Sequence, residues 1–495
     1  MRLKVIKENI STGKTNIAIL HISDAEKLDL FPGDRVKIKL KKNCAICIVD
    51  IAYSKRLIHP GRIILYKESA EKVKVKTNDI LDIEIAKSPK SIHLIKKKLA
   101  GFKLNKKEFE EIIKDIVKDN LSDIELTYFI AACSAHNLTL TEVKYLINAI
   151  VSTGLIIKPN SKIVLDKHCV GGVAGNRTTM VVTPILAAAG YTVPKTSSKA
   201  ITSPAGTANT MECLANVCLT KKQIEYTLDK VGACMVWGGA LNLAPADDKI
   251  IRIEHPLSID VSGLLLSSIM SKKISVSATH LLIDIPWGAG SKFETKNEAL
   301  LLKRKFELIC KLSGIKCKVI LTDGRSPIGY GLGPLLEAID VMKVLENKKD
   351  APQDLKDKSL MLAGELFDLV GKTRKGKGKL LAKKILEDGS ALKKMKEIIK
   401  FQGEVKKPSL GRFKKTIYSK FSGKIKRIDN KHFSKLAKIA GAPGSKGAGV
   451  FILINLNEKI AKKQELFIIY ASNKEKLKYA TEFYIKNKKE FIDIS

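Results

Sequence analysis

The sequence predicts a multidomain α/β protein with a small N-terminal β domain, a helical bundle domain, a mostly parallel α/β sheet domain and a C-terminal α+β domain. Three observations predict it. After residue 158, strand-like runs, Gly-containing loops and helical patterns alternate, as they do in a parallel sheet. Residues 90–154 carry a helical period with three N-terminal capping boxes. The chain has 495 residues, against roughly 150 for an average domain.

Residues 1–86 read as short strands at 3–7, 16–21, 35–41, 45–52, 62–66 and 79–86, with a turn at Pro32, Gly33 and Asp34. This all-β segment shows no catalytic cluster, and an assembly role is expected of it. In residues 87–158, Asn105 with Glu108, Ser122 with Glu125, and Thr139 with Glu142 each have the spacing at which a side-chain oxygen and a carboxylate satisfy two orphan N–H groups at a helix start. Residues of about 246–275 are expected to join this helical domain in space. In residues 159–407, strands are expected at 162–166, 191–196, 233–237, 281–287 and 318–323, with a helix over 177–189 ended by Gly190. Ligands of such sheets bind beyond the carboxyl ends of the strands, where these loops fall. Residues 408–495 return to strand-like runs at 424–428, 450–456 and 465–470, with a Gly-rich stretch at 441–449.

Lys and Arg number 88 against 51 Asp and Glu, a net charge of +37. Such a balance raises the prospect of polyanionic partners. The excess is spread along the chain, however, and aromatic residues are only 6%, so a dedicated nucleic-acid-binding face is not expected. The nine cysteines are scattered, and the CxxC of Cys44 and Cys47 has no second pair, which speaks for reduced thiols rather than structural zinc. The most apolar stretch, 180–193, is shorter than the roughly 20 residues of a membrane span. Residues 1–10 lack the apolar block of a secretory signal, so a cytoplasmic protein without membrane contact is expected.

Two segments carry the chemistry. Residues 166–179, DKHCVGGVAGNRTT, pack Lys167, His168, three glycines, Arg177 and two threonines between a strand and a helix. Glycines let backbone N–H groups approach an anion, and a helix N-terminus adds its dipole. The spacing is neither that of a P-loop nor GxGxxG. Residues 195–212, KTSSKAITSPAGTANTME, place Thr196, Ser197, Thr202, Ser203, Lys199, Gly206 and Thr207 after the next strand. Hydroxyls and cations at two adjacent strand ends argue for one shared anionic ligand.

With SSIMSKK at 267–273, WGGALNLAPADD at 237–248 and the Gly-rich stretch 441–449, these segments resemble the thymidine and pyrimidine nucleoside phosphorylase family over roughly residue 90 to the C-terminus. The wording is most similar to the archaeal branch that acts on nucleoside monophosphates and carries an additional N-terminal β domain. The resemblance implies a sheet domain of nucleoside phosphorylase type and a homo-oligomer. It implies phosphorolysis of AMP, and of CMP and UMP, by orthophosphate, giving ribose 1,5-bisphosphate and free base. A nucleoside phosphorylase and a nucleic-acid binder on an inactive scaffold are the alternatives.

The resemblance further implies nucleotide contacts from Gly172, Ser198, Lys199, Ala200, Ile201, Thr202, Ser203, Thr207, Ser268 and Lys292. It implies orthophosphate contacts from Lys167, Ser197 and Thr207, and proton donation to the leaving base by Asp260, with His168 as an alternative acid. Three positions depart from the nucleoside enzymes: Cys169 replaces a hydroxyl, Asn209 replaces an aspartate, and the base-binding arginine would fall near Ile253, beside Arg252. No cofactor and no catalytic metal are expected, orthophosphate being the co-substrate.

Overall fold

The computed structural model describes all residues except Lys14, Ile201, Thr202 and 258–260; residues 255–257 are described by their backbone alone. At the N-terminus, β1 (Arg2–Lys7), β2 (Ile17–His21), β3 (Arg35–Leu40), β4 (Asn43–Ala52), β5 (Arg62–Leu65) and β6 (Ile80–Ile85) close into a barrel in the order β1-β5-β2-β4-β3-β6. Alternation sends Leu3, Val5, Val36, Ile38, Val49 and Leu81 inward and Lys4 and Lys39 outward. The barrel also contains two short helices absent from the sequence reading, Ile22–Glu26 and Lys67–Val73. The first starts where the His21 side chain accepts from the Ser23 N–H, and the second ends at a left-handed Lys74. Both are too short for hydrophobic periodicity to reveal.

The helical bundle contains Lys90–Leu99, Lys106–Val117, Asp123–Ala135 and Leu140–Thr153. The capping boxes at Asn105, Ser122 and Thr139 form in full, and Gly154 closes the last helix. Helices Pro245–Leu257 and Ser262–Ser275 contribute Ala246, Ile250, Val261 and Leu264 to the same core as Phe109, Phe129 and Leu146.

The sheet that follows is parallel. β7 (Leu165–Cys169) pairs with β10 (His280–Trp287), which pairs with β11 (Lys316–Asp323). β8 (Val193–Ser197) pairs with β9 (Ala233–Trp237), and a single Val164–Thr192 bridge joins the two groups. The sequence expectation ended the first strand at Asp166. In the structure, pairing with β10 extends it three residues further, Lys167 opposite Leu282, His168 opposite Ile283 and Cys169 opposite Asp284. A tertiary ladder overrides the local polarity that read as loop. Strand Gly331–Leu332, from within residues 159–407, joins Gly449–Ile452, Glu465–Ala471 and Phe413–Tyr418 in an antiparallel sheet covered by helices Asn430–Ala440 and Lys474–Phe491. No described helix is long and apolar enough to cross a membrane.

Candidate active site

The carboxyl ends of β7, β8 and β10 release three loops. Gly172 adopts φ +96°, and a Cβ there would stand 2.5 Å from the Lys292 backbone nitrogen, so only glycine lets the 171–175 loop lie against the turn after β10. Gly172 and exposed Lys292 are thereby brought together. In the Ser-rich loop, a Cβ at Gly206 would fall 2.6 Å from the Ser198 carbonyl oxygen. The Asn209 side-chain oxygen accepts from the Ala200 N–H at 2.6 Å and the Gly206 N–H at 3.1 Å. An amide oxygen thus supplies both acceptor bonds, and the replacement of aspartate at this position leaves the loop pinned. Ser203 closes on the Ala205 carbonyl at 2.8 Å, and Thr207 opens the helix Thr207–Met211. Ser197 ends β8, in register with Trp237. Ile201, Thr202 and Asp260 lie outside the described residues.

Beneath the loops lies a buried ionic layer. The Asp166 carboxylate accepts from Lys195 Nζ at 3.2 Å and Lys273 Nζ at 2.7 Å, and Lys195 also donates to the Lys167 carbonyl at 2.5 Å. Burial works against the Asp166 charge, but Lys195 and Lys273 outweigh it and hold the carboxyl below its usual range. Lys273 itself, desolvated and beside Lys195, is lowered to about 7 despite Asp166. This triad ties β7 and β8 to helix Ser262–Ser275. On the same helix, Ser268 donates to Asp247 at 2.9 Å, and Lys272, next to Lys273, pairs with the same carboxylate.

Lys167 is 2% exposed, donates to the Thr178 hydroxyl at 2.7 Å and stands 4.0 Å from Asp284. Burial pulls its pKa down, with Asp284 opposing. Asp284 is held as a carboxylate against burial by Lys358 at 3.3 Å, by Lys167 and by the Thr322 hydroxyl at 2.6 Å. Cys169 accepts from the Asn176 amide at 3.2 Å, and burial raises its thiol to about 11, so it remains protonated. His168 lies well below its ordinary value because of burial and then the charges of Lys273, Lys195 and Lys167. The imidazole is neutral at pH 7, which speaks against its serving as the acid that protonates a leaving base. Arg177 is committed to buried Glu337 and the Ala205 carbonyl, and is thus a brace rather than a phosphate ligand. Arg252 pairs with exposed Asp123 at 2.6 Å on the bundle, and Ile253 packs on the bundle core.

Asp247, Lys272, Lys273, Asp284 and Lys358 were given no role from sequence. Two signals mark three of them, adjacent lysines ending an otherwise uncharged helix and an aspartate in the middle of the apolar strand HLLIDIPW; Asp247 and Lys358 carry no such signal. Among the described residues, the Ser268 hydroxyl bonds Asp247 and Lys272, and no bond from it to the loops is described.

Residues 161–284 match the family described as glycosyl transferase family, a/b domain, and residues 92–154 its helical bundle domain. The chain is 41% identical over 483 residues to the AMP phosphorylase of Pyrococcus furiosus, covering 96% of this chain and 95% of that protein. It is 40% identical over 472 residues to a Legionella pneumophila (strain Corby) protein named "putative thymidine phosphorylase", covering 95% and 90%. The chain belongs to the pyrimidine nucleoside phosphorylase family. Among solved structures, the anthranilate phosphoribosyltransferase of Thermus thermophilus shares the fold, with a TM-score of 0.53, 17% identity and coverage of 62% of this chain and 98% of that one. The two matched regions contain β7, β8, β9 and most of the bundle, and the Lys273–Asp166 pair lies where the bundle meets the sheet.

Proposed function

We propose that this chain is a nucleoside 5′-monophosphate phosphorylase: AMP, and also CMP and UMP, react with orthophosphate to give ribose 1,5-bisphosphate and the free base. The observation that carries the reading is the likeness of about 40% over nearly the whole chain to proteins named AMP phosphorylase. The site chemistry agrees with it. A phosphate oxygen forms a bond to C1′ of the ribose as the bond from C1′ to the base nitrogen breaks, and the base leaves with a proton. Lys167, Ser197, Thr207 and the N–H groups around Gly172 hold the orthophosphate, whose charge also offsets the positive charge growing on the ribose. For Lys167 to reach it, the ammonium exchanges its Thr178 bond for a phosphate oxygen.

The nucleotide lies along Gly172, residues 198–203, Thr207, Ser268 and Lys292, with Lys292 beside Gly172 as one cation for the 5′-phosphate. Asp260 donates the proton, a role that requires its carboxyl to be held protonated at neutral pH by a raised pKa; the lowered pKa of His168 leaves that imidazole without an acidic proton to give. The enzyme works in the cytoplasm as a homo-oligomer assembled through residues 1–86. The test is the requirement for the 5′-phosphate. With orthophosphate saturating, kcat/KM for AMP should exceed that for adenosine and for uridine, measured by base release. A preference for uridine or thymidine would instead identify a nucleoside phosphorylase.

A further inference from the structure

Lys199, in the middle of the Ser-rich loop, is held from two sides. Its Nζ stands 3.1 Å from a Glu212 carboxylate oxygen and 4.6 Å from the centroid of the Trp237 ring. Trp237 ends β9 in register with Ser197, so the indole stands beside the strand end from which the loop departs. A Cβ at Gly239 would fall 2.8 Å from the indole Nε1, so the chain turns back against the ring edge and fixes it. Glu212 is the C-cap of helix Thr207–Met211, and it has a second cation: Lys446 Nζ lies 4.0 Å from its carboxylate and donates to its backbone oxygen at 3.0 Å. Glu212 therefore keeps a partner if Lys199 leaves.

The two neighbours act on the ammonium in different ways. A ring face attracts a cation through its quadrupole without using the N–H donors. A carboxylate consumes a donor in a charge-assisted bond, which an arriving anion must replace. We propose that Trp237 is a positioning residue that holds the Lys199 ammonium in place, while Glu212 occupies the place on Lys199 that a substrate 5′-phosphate takes. This inference rests on the nucleotide reading above and assigns opposite effects to two residues that touch the same amine.

The experiment is steady-state kinetics with AMP and with adenosine on the wild type, Trp237→Leu, Trp237→Phe and Glu212→Gln. Loss of the ring in Trp237→Leu should raise KM for AMP about three- to thirtyfold, the range of a cation–π contact, with kcat and the adenosine reaction little changed. Trp237→Phe, which keeps a ring face, should fall between the wild type and the leucine variant, and it carries the test if Trp237→Leu does not fold. Glu212→Gln should lower KM for AMP, by up to about fivefold. A rise in KM for AMP in both Trp237→Leu and Glu212→Gln would overturn the proposal, because it would mean that both residues merely shape the loop. So would an equal loss with adenosine. A wild type that prefers adenosine to AMP would show the nucleotide reading itself to be wrong, whereas a normal AMP preference with same-sign shifts would remove only this inference.

Discussion

The N-terminal barrel and the parallel sheet are built from similarly basic sequence, yet they place their charges in opposite ways. On β1 and β3 of the barrel, alternation leaves Lys4 and Lys39 at the surface and fills the interior with valine, isoleucine and leucine. On β7, β8 and β10, Asp166, Lys167, Lys195 and Asp284 are all at most 4% exposed. Burying ionised groups is costly even when they are paired, and apolar replacements of similar volume often fold as well or better. The barrel shows that this chain folds strands without that cost. The ionic layer under the loops is therefore explained by what it holds in place: the ends of β7 and β8 against helix Ser262–Ser275, where the bundle meets the sheet.

The largest effect that would sharpen this contrast is expected from Asp166→Ala, which leaves Lys195 and Lys273 buried without their carboxylate. Breaking a buried pair on one side costs about 3–5 kcal/mol, so chemical unfolding should show a loss of that order together with loss of turnover. Lys37→Ala in the barrel, which removes an exposed pair with Glu84, should leave the unfolding midpoint unchanged. Equal effects of the two substitutions would break the comparison. Next in size, Asp260→Asn should lower kcat by about two to four orders of magnitude, the usual range for a lost general acid. Near-normal turnover of that variant would return His168 to consideration.

For Lys292→Ala, kcat/KM for AMP should fall about ten- to a hundredfold while adenosine is spared, because one charge-assisted contact is worth roughly 1.5–3 kcal/mol and a nucleoside has no 5′-phosphate to lose. Equal losses would make Lys292 a structural lysine. The smallest effect concerns pH. The folded pKa of Lys273, about 7, lies below that of an unfolded lysine, about 10.4, so between these values the unfolded chain binds more protons and this group's contribution to stability rises with pH. Lys273→Met has no proton to bind there. The stability of the wild type relative to this variant should therefore grow from pH 7 to pH 9, by at most about 1.4 kcal/mol per unit, and thermal melts at the two pH values would show it. A constant difference would contradict the lowered pKa.

Much of this architecture was legible in the sequence, for identifiable reasons. Capping boxes at Asn105, Ser122 and Thr139 are local, and all three form. β9 was legible at residues 233–237 because an apolar run is bounded by Gly232 and Gly238. The end of β7 was misplaced because pairing with a strand more than a hundred residues away decides whether Lys167 and His168 are strand or loop. The loops at 171–175 and 197–207 announced themselves through glycine and hydroxyl density. Their support did not. Asp166 belongs to a local motif, but its two lysines come from β8 and from a helix at 262–275, and no spacing rule connects them. The brace role of Arg177 likewise required Glu337, 160 residues later.

Activation of orthophosphate against a nucleotide by these loops is tested by base release from AMP with and without orthophosphate. Free adenine should appear only when orthophosphate is present, with ribose 1,5-bisphosphate accumulating in equal amount. Equal release of adenine in phosphate-free buffer, with ribose 5-phosphate as the sugar product, would mark a hydrolase and exclude phosphorolysis.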